Sequence, residues 1–303
     1  MGQMMNKQTL AIQTAGGELA ATLYAPDAGR KPGTVILCHG FCGIQTVLLP
    51  AFAEFFARNG FGALTFDYRG FGASGGEKGR LVPAMQIEDI NIAVRWVAGQ
   101  AFHENGPIAL WGTSLGGAHV IEVAARNELV GCVISQMPFG DGMSMITRDM
   151  SDEERDNLIQ TLEKMKARKE TMGKEVMVSV NKVLTDADST AFFEQVRQTH
   201  PEIDIKIPFL TVRETLLYSP VKAAPQVKAP VMVMAAEKDI VNPPEQARLL
   251  FDALTCTKAW HIQSGARHYD LYSPPHFDEV ASLQLAWLAS NMAAHAVGRI
   301  FDK

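Results

Sequence analysis

The sequence predicts an α/β protein whose mostly parallel central sheet carries helices on both faces and receives an inserted helical cap. Three observations carry this. Short, unbroken apolar runs of β-type composition recur at 34–38, 63–66, 108–111, 132–135, 231–235 and 260–263. Stretches with helical spacing of apolar residues fall between most of them. The alternation is interrupted once, over 137–218. Unbroken apolar strands separated by helices are the mark of parallel strands buried on both faces.

The elements follow in order. Residues 8–24 read as a hairpin turning at Ala15, Gly16 and Gly17, because glycine supplies the positive φ of a tight turn, and the result is an antiparallel edge. Helices are expected over 47–58, 87–98, 118–126, 245–254 and 277–294. The stretch 137–218 is rich in charge, and Ser151 and Glu154 are spaced as a capping box at the head of a helix. The expected organisation is therefore a core domain of 1–136 and 219–303 with a helical cap of 137–218. Seven of the fourteen methionines lie between Met137 and Met177. Flexible thioethers suit an adaptable apolar substrate wall, and equally suit packing of cap onto core. No internal repeat or low-complexity segment is visible.

Composition narrows the class. With 303 residues, 47% hydrophobic and 20% charged, the chain has enough apolar surface for a folded core. A formal net charge of -5 and the lack of a long basic run give no electrostatic reason to expect nucleic acid. The start, MGQMMNKQTLAIQTAGGELA, has no apolar segment behind a basic head, so the cytoplasm is the expected compartment. Cys38 and Cys132 sit inside apolar runs as small buried hydrophobes, and no disulfide framework is expected. No apolar run reaches the roughly eighteen residues that span a bilayer, so no membrane span is expected. Cysteines and histidines lack zinc-type spacing, and the glycine-rich stretch 70–76 lacks the strand-to-helix context of a dinucleotide site, so neither metal nor cofactor is expected. A homodimer is left open.

The chemistry concentrates at Gly112-Thr113-Ser114-Leu115-Gly116, directly after one apolar run and directly before a helical one. The glycines allow a sharp strand-to-helix turn that lifts the Ser114 hydroxyl out of the sheet, beside a helix N-terminus that favours negative charge. A serine hydroxyl needs a base. His268 follows the last apolar run and the glycine-containing loop Ser264-Gly265-Ala266-Arg267, which would carry it back over the strand ends. His119 and His295 fall in helical patterns, His261 in a strand, and His103, His200 and His276 in loops without further signal, so structural roles are expected for them. Asp239, just after the 231–235 run, is the expected acid orienting the imidazole, with Asp141 as the competing candidate and Asp270 as a loop brace. The oxyanion donors are expected to be the backbone N–H groups of Leu115 and of Phe41 in His39-Gly40-Phe41-Cys42-Gly43. Cys42 has no base beside it in sequence and reads as structural.

Taken together, these residues resemble the α/β-hydrolase superfamily over nearly the whole chain. His39-Gly40-Phe41, Asp67-Tyr68-Arg69-Gly70-Phe71-Gly72-Ala73-Ser74, the Ser114 pentapeptide, Glu237-Lys238-Asp239 and Gly265-Ala266-Arg267-His268 match its landmarks in order. The resemblance implies that the segment from Asp67 to Ser74 is a structural loop. The cap position and His268-Tyr269-Asp270-Leu271-Tyr272 look like the group of dienelactone hydrolases, X-Pro dipeptidyl peptidases and polyketide-processing acyl hydrolases or transferases. The single glycine of His39-Gly40-Phe41 departs from an HGGG esterase pattern and argues against bulky tertiary-alcohol esters. Serine at position 114, where dienelactone hydrolases typically carry cysteine, favours ordinary ester or thioester chemistry.

The expected function is hydrolysis of a carboxylic ester or related small acyl substrate through an acyl-enzyme on Ser114. The alternatives are acyl transfer or thioester cleavage with the same three residues, cleavage of an activated carbon–carbon bond, and, at the greatest remove, ligand binding without turnover.

Overall fold

In the computed structural model, which describes residues 6–26, 33–103 and 106–298, the hairpin opens the sheet as expected. Strand β1 (Asn6–Thr14) pairs antiparallel with β2 (Gly17–Ala25), and β2 pairs antiparallel with β4 (Gly62–Phe66). All remaining ladders of this sheet are parallel. Strands β3 (Thr34–Cys38), β5 (Ile108–Thr113), β6 (Val130–Gln136), β9 (Val231–Ala236) and β10 (Lys258–Gln263) complete eight strands in the order β1-β2-β4-β3-β5-β6-β9-β10.

Every residue of β3, β4, β5, β6 and β9 is buried, which explains why these strands read as continuous apolar runs rather than as alternating ones. Successive side chains still point to opposite faces. Ile36, Leu110, Val233 and Ala235 pack on one side with α2 (Pro83–Ala98), α3 (Leu115–Ala124) and α8 (Pro244–Ala253). Leu37, Trp111, Ile134 and Met234 pack on the other with α1 (Leu49–Arg58) and α9 (Phe277–Gly298). The core is thus two apolar layers divided by the sheet.

Between β6 and β9 the chain runs through α4 (Gly142–Ile146), α5 (Asp152–Met172), α6 (Ala187–Val196) and α7 (Thr211–Leu216). The capping box is present: Glu154 N–H donates to Ser151 Oγ, and Ser151 N–H to the Glu154 carboxylate. Alongside these helices stands a two-stranded antiparallel ribbon of β7 (Met177–Ser179) and β8 (Lys206–Pro208), which helical spacing did not foretell. Among the described residues, no helix is long and apolar enough to cross a membrane.

Candidate active site

The turn from β5 into α3 forces Ser114 into an unusual conformation, φ 56° and ψ -121°, a strain of about 1–3 kcal/mol that its surroundings must hold. Ser114 N–H donates to Gln136 O of β6 at 2.9 Å, which ties the turn to the neighbouring strand. The flanking glycines are required by close approach: a Cβ on Gly116 would overlap the carbonyl oxygens of Cys38 and His39, and one on Gly112 would overlap that of Gly116. Leu115 is the first residue of α3, so its N–H is among those that a helix leaves without an internal acceptor.

The loop after β3 comes against this turn. Gly40 is so near that a Cβ there would stand 3.1 Å from Ser114 Cβ. His39 is buried and holds the loop's shape: Nε2–H donates to Val47 O at 2.8 Å, and Nδ1 accepts the Gly40 N–H at 2.7 Å. Burial pushes its pKa down to about 4, so the ring is a neutral brace. Phe41, the next residue, lines the cavity that Ser114 and Leu115 also line.

His268 enters that cavity from the loop beyond β10. Its Nδ1–H donates to Asp239 Oδ2 at 2.6 Å, with both side chains almost wholly buried. Asp239 Oδ1 accepts the backbone N–H groups of Val241 and Asn242, at 2.9 and 2.8 Å, so the carboxylate is fully engaged. Asp141 is elsewhere. It caps α4, accepting Ser144 N–H at 2.8 Å and the Ser219 hydroxyl at 2.7 Å. Asp270 accepts the Arg267 N–H at 2.9 Å within its own loop.

The other histidines are tied into the framework. His119 lies between Tyr218 Oη and Gln86 Oε1, His261 meets Gln263, His276 meets the same glutamine, and His200 and His103 meet Thr199 and Thr34. The side chain of His295 is outside the described residues. Cys42 is buried, and desolvation raises its thiol well above the ordinary range. The carboxylate of Asp67 accepts Gln45 and Ala73 N–H groups at 2.7 and 3.0 Å, a loop-holding arrangement.

The cavity itself, about 860 Å³ counted with its open mouth, is walled above Ser114 by the segment between β6 and β9. Phe139, Ile146, Leu184, Phe192, Phe193 and Val212 supply much of that wall. Of the seven methionines in this region only Met145 lines it, so of the two roles open to them packing is the commoner and a substrate wall the exception. Met137 is instead buried in the core, Met143 packs with Leu162 and Val212, and Met150, Met172 and Met177 are exposed. Among the described residues that line the cavity there is no Asp, Glu, Lys or Arg. No cluster of His, Cys, Asp and Glu suited to a metal ion occurs among the described residues.

A family model described as serine aminopeptidase, S33, matches residues 29–273. The chain belongs to that family. Its fold is the α/β-hydrolase fold. An uncharacterized 31.7 kDa protein of Escherichia coli, from the traX-finO intergenic region, is 48% identical over 90% of this chain and 96% of its own. The quorum-quenching protein AidA of Acinetobacter baumannii is 28% identical over 95% and 98%, and a polyketide transferase of Aspergillus fumigatus is 25% identical over 95% and 99%. Among solved structures, that of DcsB in complex with its substrate analogue superposes with a TM-score of 0.83 at 23% identity, covering 95% of this chain and 100% of that one. That likeness concerns the fold.

Two features of this S33 hydrolase site escape a reading of the sequence. Asn242 lines the cavity, and its Nδ2 donates to Ser114 Oγ at 3.3 Å and to Met137 O at 2.8 Å. Its place three residues after Asp239 in a strand-end loop was the available signal. Tyr269 stacks on Phe192 of α6, and Tyr272 shares a short hydrogen bond with Thr113. Both tyrosines follow His268 in a segment singled out for its resemblance alone.

Proposed function

We propose that this protein is a serine hydrolase that cleaves an ester, or a related acyl compound with an uncharged apolar acyl part, through an acyl-enzyme on Ser114. The observation that carries the proposal is the 2.6 Å hydrogen bond to Asp239 made by His268, which lines the same cavity as Ser114. In this reading Asp239 fixes the Nδ1–H tautomer of His268 and leaves Nε2 unprotonated as the base. Ser114 Oγ attacks the carbonyl carbon while its proton passes to Nε2. The N–H groups of Leu115 and Phe41 receive the oxyanion, and His268 returns the proton to the departing alcohol. Water then adds to the acyl carbon, loses a proton to His268, and releases the acid as the C–Oγ bond breaks and Ser114 is reprotonated.

The wall decides the substrate class. Binding a free amino terminus inside the cavity calls for a carboxylate to pair with the ammonium, and an apolar lining without acidic side chains disfavours a charged group there. An apolar acyl chain fits this surface. We take 137–218 to act as a cap that closes over it, and the cytoplasm as the compartment, a view supported by four cysteines that all stand as free thiols.

Transfer of the acyl group to an alcohol or amine, or its withdrawal from a thioester, is the second reading. It draws support from the 25% identity with a polyketide transferase. One experiment addresses both. The protein is offered p-nitrophenyl esters, lactones and acyl thioesters with graded alcohols and amines present, and the ratio of free acid to transferred product is measured. Mostly free acid at modest acceptor concentration supports hydrolysis, whereas a saturable acceptor that captures most of the acyl group establishes transfer. No turnover of any donor, with no labelling by a fluorophosphonate, overturns both.

A further inference from the structure

We propose that Asn242 is a catalytic hydrogen-bond donor to Ser114 Oγ whose main effect is on deacylation, an inference that rests on Ser114 being the nucleophile. Asn242 is only 5% exposed, and its Nδ2 reaches two oxygens, Met137 O at 2.8 Å and Ser114 Oγ at 3.3 Å. The amide orientation follows from its partners. A backbone carbonyl can only accept, so the atom facing Met137 O is the nitrogen, and its second hydrogen is the one available to Ser114.

The aim of this amide is not independent of the base. The same Asp239 carboxylate that takes His268 Nδ1–H on one oxygen takes the backbone N–H of Asn242 on the other, at 2.6 and 2.8 Å. One side chain thus positions both the imidazole and the amide. Met137, which anchors the amide from the far side, is itself fully buried with a φ of 46°, a conformation held open at the end of β6.

The chemistry makes the two half-reactions unequal. A hydroxyl has one proton and two lone pairs. With Asn242 donating into one lone pair, the Ser114 proton stays free to pass to His268, but the same donation withdraws electron density from the attacking oxygen. These effects oppose each other in acylation. In deacylation Oγ is the leaving group: water has added to the acyl carbon, the C–Oγ bond is breaking, and negative charge grows on Oγ until His268 returns the proton. A donor fixed at that oxygen then only assists. The N–H groups of Leu115 and Phe41 serve the other oxygen, the former carbonyl, and cannot replace it.

The test uses Asn242→Ala, Asn242→Asp and Asn242→Ser in the full chain. Competent sites are counted by stoichiometric fluorophosphonate labelling, then the burst and the steady state of a p-nitrophenyl ester are followed per labelled site. In the alanine and aspartate variants the steady-state rate is expected to fall at least about tenfold, while the burst rate stays within about threefold of wild type. KM falls with kcat, because acyl-enzyme accumulates. The serine variant, whose hydroxyl still donates, recovers part of the loss. A purely structural role would lower the labelled fraction, or both phases together, and either pattern without a selective deacylation defect overturns the role of Asn242. So does an unchanged steady-state rate per labelled site. A wild-type protein that neither labels nor turns over would instead overturn the nucleophile, and this inference with it.

Discussion

The ring of Tyr269 lies flat on that of Phe192, with centroids 4.1 Å apart and planes 9° from parallel. Tyr269 follows His268 directly, and its ring meets the imidazole edge-on at 4.9 Å. The grip extends to both sides of the histidine. Tyr269 Oη and Ser189 Oγ are 3.1 Å apart, and Arg267 pairs with Asp188 at 3.5 Å. All three partners, Asp188, Ser189 and Phe192, belong to α6. The helix that walls the cavity therefore also holds the loop that carries His268.

Weakening this grip should cost rate in the folded protein. The stack adds about 0.5–1.5 kcal/mol to the apolar burial of Phe192, so Phe192→Ala should lower the melting temperature while the chain remains folded under assay conditions. Freed on one side, His268 should spend less time placed to take the Ser114 proton, and kcat for a p-nitrophenyl ester should drop roughly tenfold. Tyr269→Phe keeps the stack and should lose less. Equal activity in Phe192→Ala and wild type on a short-chain ester, which does not need the wall, would show that α6 holds substrate and not the base.

Ser114→Ala should remain folded and lose both turnover and fluorophosphonate labelling. His268→Ala should lose nearly as much activity, about a thousandfold or more, and the double variant little beyond either, since the two residues act as a unit. Asp239→Asn should lose far more than Asp141→Asn, because Asp141 is committed to capping α4. A large loss in Asp141→Asn at full stability would reverse the assignment of the acid.

How much of this was legible in the sequence follows from physics at each element. The parallel strands were readable because burial on both faces leaves no polar position, as in Val231–Ala236. The turn at Ser114 was readable because Gly112 and Gly116 meet backbone that tolerates no side chain. Asp239 was singled out by its place after β9, and in the structure it is hydrogen-bonded to His268. The ribbon of β7 and β8 was not, since three residues such as Met177–Ser179 are too short for a period to register. Methionine content left two roles open, because composition says nothing about which way Met143 or Met172 points. Asn242 was hard to see for a related reason: its amide reaches across the cavity to Ser114, and its place three residues after Asp239 was the one signal the sequence offered.

Gly116→Ala should be strongly damaging for a single added methyl group. Its Cβ would overlap two backbone carbonyls, those of Cys38 and His39, and backbone cannot swing aside as the tip of a side chain can. A loss of about 1–3 kcal/mol is expected from overpacking, together with displacement of the Leu115 N–H. Urea unfolding and labelling rate should therefore fall together. Gly265→Ala is the control. It has nothing within 4 Å of the added Cβ, so the cost there comes from its φ of 72° alone, about 1 kcal/mol.

Acid should destabilise the fold through two buried histidines that the proposed chemistry does not titrate. His39 is pushed down to about 4 by burial, and His119, held between Tyr218 Oη at 3.0 Å and Gln86 Oε1 at 2.9 Å, is pushed down to about 3. An imidazole in the unfolded chain titrates near 6.5. Above that value both states are neutral and neither histidine affects the balance. As pH falls below it the unfolded chain gains protons that the folded chain refuses, so stability declines until the folded values are reached. From pH 7 to pH 5 the loss is about 2 kcal/mol for each histidine. Asp67 and Asp89, whose carboxyls burial raises, act in the opposite sense, so a difference between two proteins isolates the effect better than one curve. His119→Gln can keep a bond to each neighbour and has nothing to titrate. It should be less stable than wild type at pH 7, and that deficit should shrink by about 2 kcal/mol at pH 5. Urea midpoints that run parallel over this range would show that His119 is not held neutral by the fold.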